Sequence, residues 1–149
     1  MPNELDVIIV DDEPSVCRVT AKMVRQFYQW GEVLRFVDID QAISYCLARE
    51  VGVGIFIVDV FLGLESGFWF LEQIKPTFPV AHEDAIIITG QASDEIVNQC
   101  IAANITYLIE KPVEFYALQL DVRAIVQKYI AFAKRLMNDP SFAANISKL

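Results

Sequence analysis

Short, unbroken apolar runs alternate with longer stretches of helical period five times along this chain, and no other feature limits its fold so sharply. The runs are Val7 to Val10, Val33 to Val37, Ile55 to Val58, Ala85 to Thr89 and Tyr107 to Ile109. Each is too short for a helix, and continuous apolarity suits strands covered on both faces, as in a parallel sheet. Between them stand helix signals. Pro14 occupies the first turn of a helix reaching Phe27, behind Asp12 and Glu13. Asp38 or Asp40 can cap a helix to about Arg49, and the helix from Ser66 to Ile74 runs into the stop at Pro76. Ser93 opens a helix to about Ala103, with Asp94 and Glu95 in the first turn, where the helix dipole favours them. The last helix starts near Val113 and reaches about Met137. Right-handed crossovers between successive strands then give an α/β fold, a parallel sheet with helices on both faces.

The totals agree with one globular domain. A chain of 149 residues with 54% hydrophobic residues can bury a core without disulfide or metal staples. Its mean hydropathy of +0.37 excludes disorder. No apolar run approaches the roughly 18 residues of a membrane span, so no membrane association is expected. Met1 to Asp6 has neither a basic nor an apolar leader region, and the expected location is cytoplasmic. Cys17, Cys46 and Cys100 are widely spaced, form no C-x-x-C pair, and read as small core residues of a reduced compartment. The lone histidine, His82, reads as a surface residue of the loop from Pro76 to Asp84, at the sheet end away from any site. The net charge is −8, which argues against direct binding of nucleic acid. That charge is uneven: residues 1–114 carry −11 and residues 115–149 carry +3.

In an open α/β sheet, ligands gather outside the carboxyl ends of the strands. Asp11, Asp12 and Glu13 follow the first run, Asp59 ends the third, Thr89 and Gly90 end the fourth, and Lys111 and Pro112 follow the fifth. Taken singly, each has a plain structural reading. Asp11 and Asp12 can cap a helix, Asp59 can begin a turn, Thr89 can be a strand residue and Lys111 a solvated one. Together they suit phosphoryl transfer. Asp59 can act as nucleophile and form an acyl phosphate. Asp12 with Asp11 can hold a hard divalent cation. Thr89 and Lys111 can bond phosphoryl oxygens.

On these residues the chain resembles the receiver domains of bacterial two-component response regulators. Val10-Asp11-Asp12-Glu13-Pro14 is similar to the family's first-strand motif. Asp59 resembles its phosphoacceptor, with Gly67 eight residues on. Thr89-Gly90 resembles the hydroxyl–small pair, and Lys111-Pro112 its lysine–proline pair. The resemblance covers about residues 5 to 130. It implies a doubly wound five-stranded parallel sheet of flavodoxin-like order 2-1-3-4-5 and a cis bond before Pro112. It also implies Mg²⁺ held by Asp11, Asp12, Asp59 and the backbone carbonyl of Phe61. Asp59, Thr89 and Lys111 would be the reacting and stabilising residues. The phosphoryl group would come from a sensor histidine kinase or a phosphotransfer protein, and the domain would be a phosphoacceptor rather than an enzyme in its own right. Phe61 and Gln91 stand where the family tunes self-dephosphorylation.

Two features depart from the pattern. The family's switch aromatic falls on Leu108, with Tyr107 one place earlier, so either a bulge restores an aromatic or the coupling is altered. In the last helix, Phe115, Leu118, Val122, Ile125, Tyr129, Phe132 and Leu136 form a heptad-like stripe that overruns a typical receiver beyond about Gln127. We therefore divide the chain into a receiver domain over residues 1–130 and an extension over residues 131–149. That extension is a homodimer contact or a connector toward an effector domain. The competing functions are a phosphorylation-independent pseudo-receiver and an aspartate-nucleophile phosphohydrolase. The latter generally needs a second acid where Phe61 stands.

Overall fold

The computed structural model describes residues 4–148. Readings that touch residues 1–3 or Leu149, including the absence of a leader and the outer limits of the two segments, lie partly outside the described residues. The elements run in order β1 (Val7–Val10), α1 (Pro14–Arg25), β2 (Val33–Phe36), α2 (Ile39–Leu47), β3 (Ile55–Asp59), the short strands β4 (Phe61–Leu62) and β5 (Glu65–Ser66), and α3 (Gly67–Gln73). A 3₁₀ turn at Ala81–Asp84 leads into β6 (Ala85–Thr89), followed by α4 (Asp94–Ala102), β7 (Tyr107–Glu110), α5 (Phe115–Asn138) and α6 (Pro140–Ile146).

Five parallel strands form one sheet in the order β2-β1-β3-β6-β7. Counting only strands of this sheet, that is 2-1-3-4-5, the doubly wound order. The chain leaves β1 toward β2 and returns on the other side as β3, so the switch point lies at the carboxyl ends of β1 and β3. Burial follows the sequence pattern. Every residue of β1, β3 and β6 is buried, while the edge strands β2 and β7 are only partly so. One core layer joins Ile8, Val10, Phe56, Val58 and Ile87 to Cys46 of α2, Phe70 and Leu71 of α3, and Cys100 of α4. The other joins Val7, Ile9, Ile55, Ile57 and Ile86 to Cys17 of α1 and to Leu118, Val122 and Ile125 of α5. Each such side chain contributes roughly 1.5–3 kcal/mol of hydrophobic transfer. All three cysteines are buried free thiols.

Side-chain caps set the starts of α2, α3 and α4. Asp38 accepts from Gln41 N, Ser66 from Trp69 N and Ser93 from Ile96 N. At the amino ends of the strands two buried carboxylates tie the layers together. Asp6 is 2.7 Å from Arg49 Nη1 and accepts Glu32 N–H at 2.8 Å, while Asp84 accepts from Lys128 and from the Tyr129 hydroxyl.

Three sequence readings need correction or completion. His82 is not a surface residue: it is 7% exposed, because Phe78 and Ala81 sink into the core and draw the turn inward. Burial, and then the nearby Lys75 charge, lower its pKa. It does lie at the amino end of β6, opposite the rim carrying Asp59. At Tyr107 and Leu108 no bulge intervenes, since the pairing with β6 runs unbroken from Ile86↔Tyr107 to Thr89↔Glu110. Tyr107 therefore packs with the α1–α5 layer, and Leu108 with the other. Beyond α5 the chain folds back as α6. Asp139 caps it through Phe142 N, Phe142 meets Phe132 edge-on at 5.8 Å, and Arg135 stacks on Phe142 at 3.9 Å. Burial along α5 ends at Val126, and Met137 is 82% exposed.

Candidate functional site

The rim at the switch point gathers the polar residues singled out in the sequence. Asp59 ends β3 and is only 6% exposed. One carboxylate oxygen, Oδ1, accepts Phe61 N–H at 2.9 Å, and the other, Oδ2, meets Lys111 Nζ at 2.5 Å. Lys111 leaves β7 with its backbone N–H bonded to Thr89 O at 2.7 Å, across a cis bond to Pro112. Its ammonium also lies 3.8 Å from Asp11 Oδ2. Asp11 stands just past β1, 5% exposed, and its Oδ1 accepts Glu13 N–H at 2.9 Å.

Asp11, Asp59 and Lys111 thus make one electrostatic unit of two buried carboxylates and a single ammonium. The pair of anions is under-compensated. Burial, and then the Asp59 charge, push the Asp11 pKa up to about 6, although the Glu13 amide and Lys111 act the other way. For Lys111, burial opposes the ammonium, but the hydrogen bond to Asp59 and the charges of Asp11, Asp59 and Glu13 outweigh it and raise its pKa.

A carboxyl whose pKa is higher in the folded than in the unfolded state binds protons preferentially when folded. Its stabilisation is complete below the unfolded value near 4 and is lost as pH rises to about 6. Asp11→Asn is therefore expected to raise the unfolding free energy of metal-free protein at pH 7.5 by on the order of 1 kcal/mol, and to flatten its decline between pH 4 and 6. Urea titrations across that range check it; an unchanged or lower midpoint at pH 7.5 would contradict it.

The remaining residues reach the rim but turn elsewhere. Asp12 is exposed, and its Oδ2 accepts Gly63 N–H at 3.0 Å from the β4–β5 turn. Thr89 is 1% exposed, one register step beyond the Ile88 that pairs with Asp59. Its hydroxyl donates to Gln91 O at 3.1 Å and accepts Gln91 N–H at 3.3 Å, so its hydrogen bonds go to the backbone of the following loop. Phe61, whose N–H bonds Asp59, is 66% exposed. Glu110, which the sequence did not single out, accepts Ala92 N–H at 2.8 Å and closes the loop after β6.

Gly67 opens α3 directly behind Asp59: a Cβ there would sit 2.3 Å from Asp59 O. Among the described residues, no group of three or more metal-ligating side chains is gathered closely enough to hold an ion. The donor chemistry nonetheless fits a hard divalent cation. Asp11 and Asp59 are buried oxygen donors with excess negative charge, and Mg²⁺ typically takes one or two carboxylates and completes its shell with water. No described helix is long and apolar enough to cross a membrane.

Comparison with known proteins matches this architecture. The heme response regulator HssR of Staphylococcus saprophyticus is 25% identical over 122 residues. Those residues are 82% of this chain but 51% of that protein, so the chain spans about half the length of this curated relative. Among solved structures, a response regulator receiver domain protein from Clostridium thermocellum superposes with a TM-score of 0.74 at 17% identity, over 86% of this chain and 98% of that one. The BeF₃-activated receiver domain of DrrB from Thermotoga maritima gives 0.69 at 22%, over 83% and 98%. The chemotaxis protein CheY4 of Vibrio cholerae gives 0.69 at 19%, over 82% and 98%. At these identities the structures establish the shared fold. The model of the response regulator receiver domain matches residues 7–123, most of the sequence. With the 2-1-3-4-5 sheet, this chain belongs to the response regulator receiver domains of two-component systems.

Proposed function

We propose that Asp59 accepts a phosphoryl group from a phosphohistidine of a sensor histidine kinase or phosphotransfer protein. The observation that carries this reading is the buried Asp59 carboxylate bonded to Lys111 Nζ at 2.5 Å, with Asp11 on the same ammonium. An oxygen of Asp59 attacks phosphorus, the P–N bond to the donor imidazole breaks, and the imidazole leaves with its electron pair and takes up a proton. Phe61 N–H fixes the plane of the carboxylate, and Lys111 lies where charge on the transferring oxygens can be met. Asp11, Asp12, Asp59 and the Phe61 carbonyl would hold Mg²⁺, which supplies charge neutralisation between the carboxylates and the incoming phosphoryl group. Thr89 contributes its hydroxyl to a phosphoryl oxygen after leaving the Gln91 backbone. The domain is a phosphoacceptor, and its output is a change in what it binds.

Phosphoramidate tests the acceptor chemistry because it carries the same P–N bond as phosphohistidine. Labelled protein should yield a hydroxylamine-sensitive acyl phosphate that peptide mapping places on Asp59. A stable ester on a serine or threonine would overturn the assignment.

Phe61 bears on the lifetime of that product. Its ring is exposed beside the acceptor and offers no group to position an attacking water. Phe61→Asn is expected to shorten the acyl-phosphate half-life roughly tenfold by admitting and orienting water. The decay of labelled protein after donor removal measures this, and a longer half-life in the variant would refute it.

A further inference from the structure

One contact at this rim has no part in the acceptor chemistry. Asp12, counted among the metal-binding carboxylates, accepts the Gly63 N–H from 51 residues away. Gly63 sits at the tip of the β4–β5 turn with φ +67°, a conformation that glycine adopts without strain. The base of the same hairpin is held by Asp59 Oδ1 through Phe61 N–H. Both tethers thus come from carboxylates of the phosphoacceptor rim.

The base of the hairpin is also held by Gly67 N–H on Val60 O and by the buried Leu62, but the tip is not. The hairpin's ladder is only Phe61↔Ser66 and Leu62↔Glu65, too short to be stable alone. Leu62 is buried, but Leu64 is fully exposed, so the tip gains no apolar anchor. The hairpin walls a cleft of about 420 Å³ whose other sides include Asp38 and Ile39 near the start of α2 and Trp69 of α3.

The Gly63 N–H meets one Asp12 oxygen, Oδ2, so this bond depends on how the exposed carboxylate is turned. We propose that the tip of the β4–β5 hairpin is a metal-responsive element: Asp12 anchors it through Gly63 in the metal-free protein and, drawn toward a cation at Asp11 and Asp59, releases it while Phe61 at the base stays with the site, altering the cleft against α2. This inference rests on the metal reading above, so its test separates the two.

Amide exchange and chemical shifts are measured residue by residue with and without saturating Mg²⁺. Gly63 N–H is expected to exchange on the order of tenfold faster with Mg²⁺, the loss of one hydrogen bond to a charged acceptor. In Asp12→Asn the side chain keeps an oxygen for Gly63 without the charge that draws it to the cation, so Gly63 stays protected at an Mg²⁺ concentration raised until the Glu13 and Phe61 amides show the variant saturated. A Trp30→Phe background leaves Trp69 as the sole tryptophan, and its emission should shift with Mg²⁺ in that protein but not when Asp12→Asn is added.

If the Glu13 and Phe61 amides, which bond Asp11 and Asp59, respond to Mg²⁺ while Gly63 does not, this inference fails and the metal reading stands. An equal Gly63 response in Asp12→Asn also overturns it. No response at any of the three amides overturns both.

Discussion

Lys111→Ala is expected to lower the rate of phosphoryl uptake at Asp59 by about 10²–10³-fold, the usual consequence of removing one fixed donor from a site of developing charge. Among the described residues, the ammonium is the one cation paired with Asp59, and it lies on Asp11 as well. Without it, two buried carboxylates repel each other and any incoming phosphoryl group. The fold should survive, because the Lys111 backbone N–H is held by Thr89 O independently of the side chain. Initial rates of adduct formation with phosphoramidate, paired with a urea titration, separate the two effects. A fall of less than threefold in a folded variant would mean that charge stabilisation comes from elsewhere.

Gly67→Ala should destabilise the domain by about 3 kcal/mol, at the upper end of overpacking costs. The added Cβ would meet Asp59 O at 2.3 Å and Val58 Cγ1 at 2.8 Å. The first of these is backbone and has no rotamer by which to retreat. Gly67 N–H also bonds Val60 O at 2.8 Å, which pins the start of α3 to the segment behind the acceptor. Relief requires moving Asp59, the proposed acceptor, so adduct formation should fall with stability. Leu64→Ala, at a fully exposed position on the neighbouring β4–β5 hairpin, is the control and should leave the unfolding midpoint unchanged. A Gly67→Ala midpoint equal to that control would show that the α3 junction yields more easily than its geometry implies.

These two residues also show how far the chain declares itself. Asp59 was legible because it ends an uninterrupted apolar run, and Lys111 because it closely follows another, where a doubly wound sheet puts its site. The positions of the five sheet strands followed from apolar continuity, though not β4 and β5, and the starts of α2, α3 and α4 from Asp38, Ser66 and Ser93, whose side chains do cap. What the sequence hid depends on tertiary direction. His82 sits in a polar, proline-rich stretch, yet Phe78 carries it inward. The partners of Asp12 and Thr89 are backbone groups whose positions depend on turns, and no residue pattern states them. The α6 helix had a local signal, Asp139 followed by Pro140, but its seven residues are too few for a helical period to stand out. The overrun of α5 was visible as a stripe. Part of that stripe is covered within the chain, because Phe132 meets Phe142.

The central claim is that Asp59 is the phosphoacceptor and that a divalent cation is needed for it. Intact-mass analysis after incubation with acetyl phosphate and Mg²⁺ tests it most directly. A single phosphoryl adduct on the wild-type chain, absent from Asp59→Ala and absent when EDTA is present during labelling, is the predicted result. An adduct that persists in Asp59→Ala, or a wild-type chain that stays unmodified while binding Mg²⁺, would contradict it.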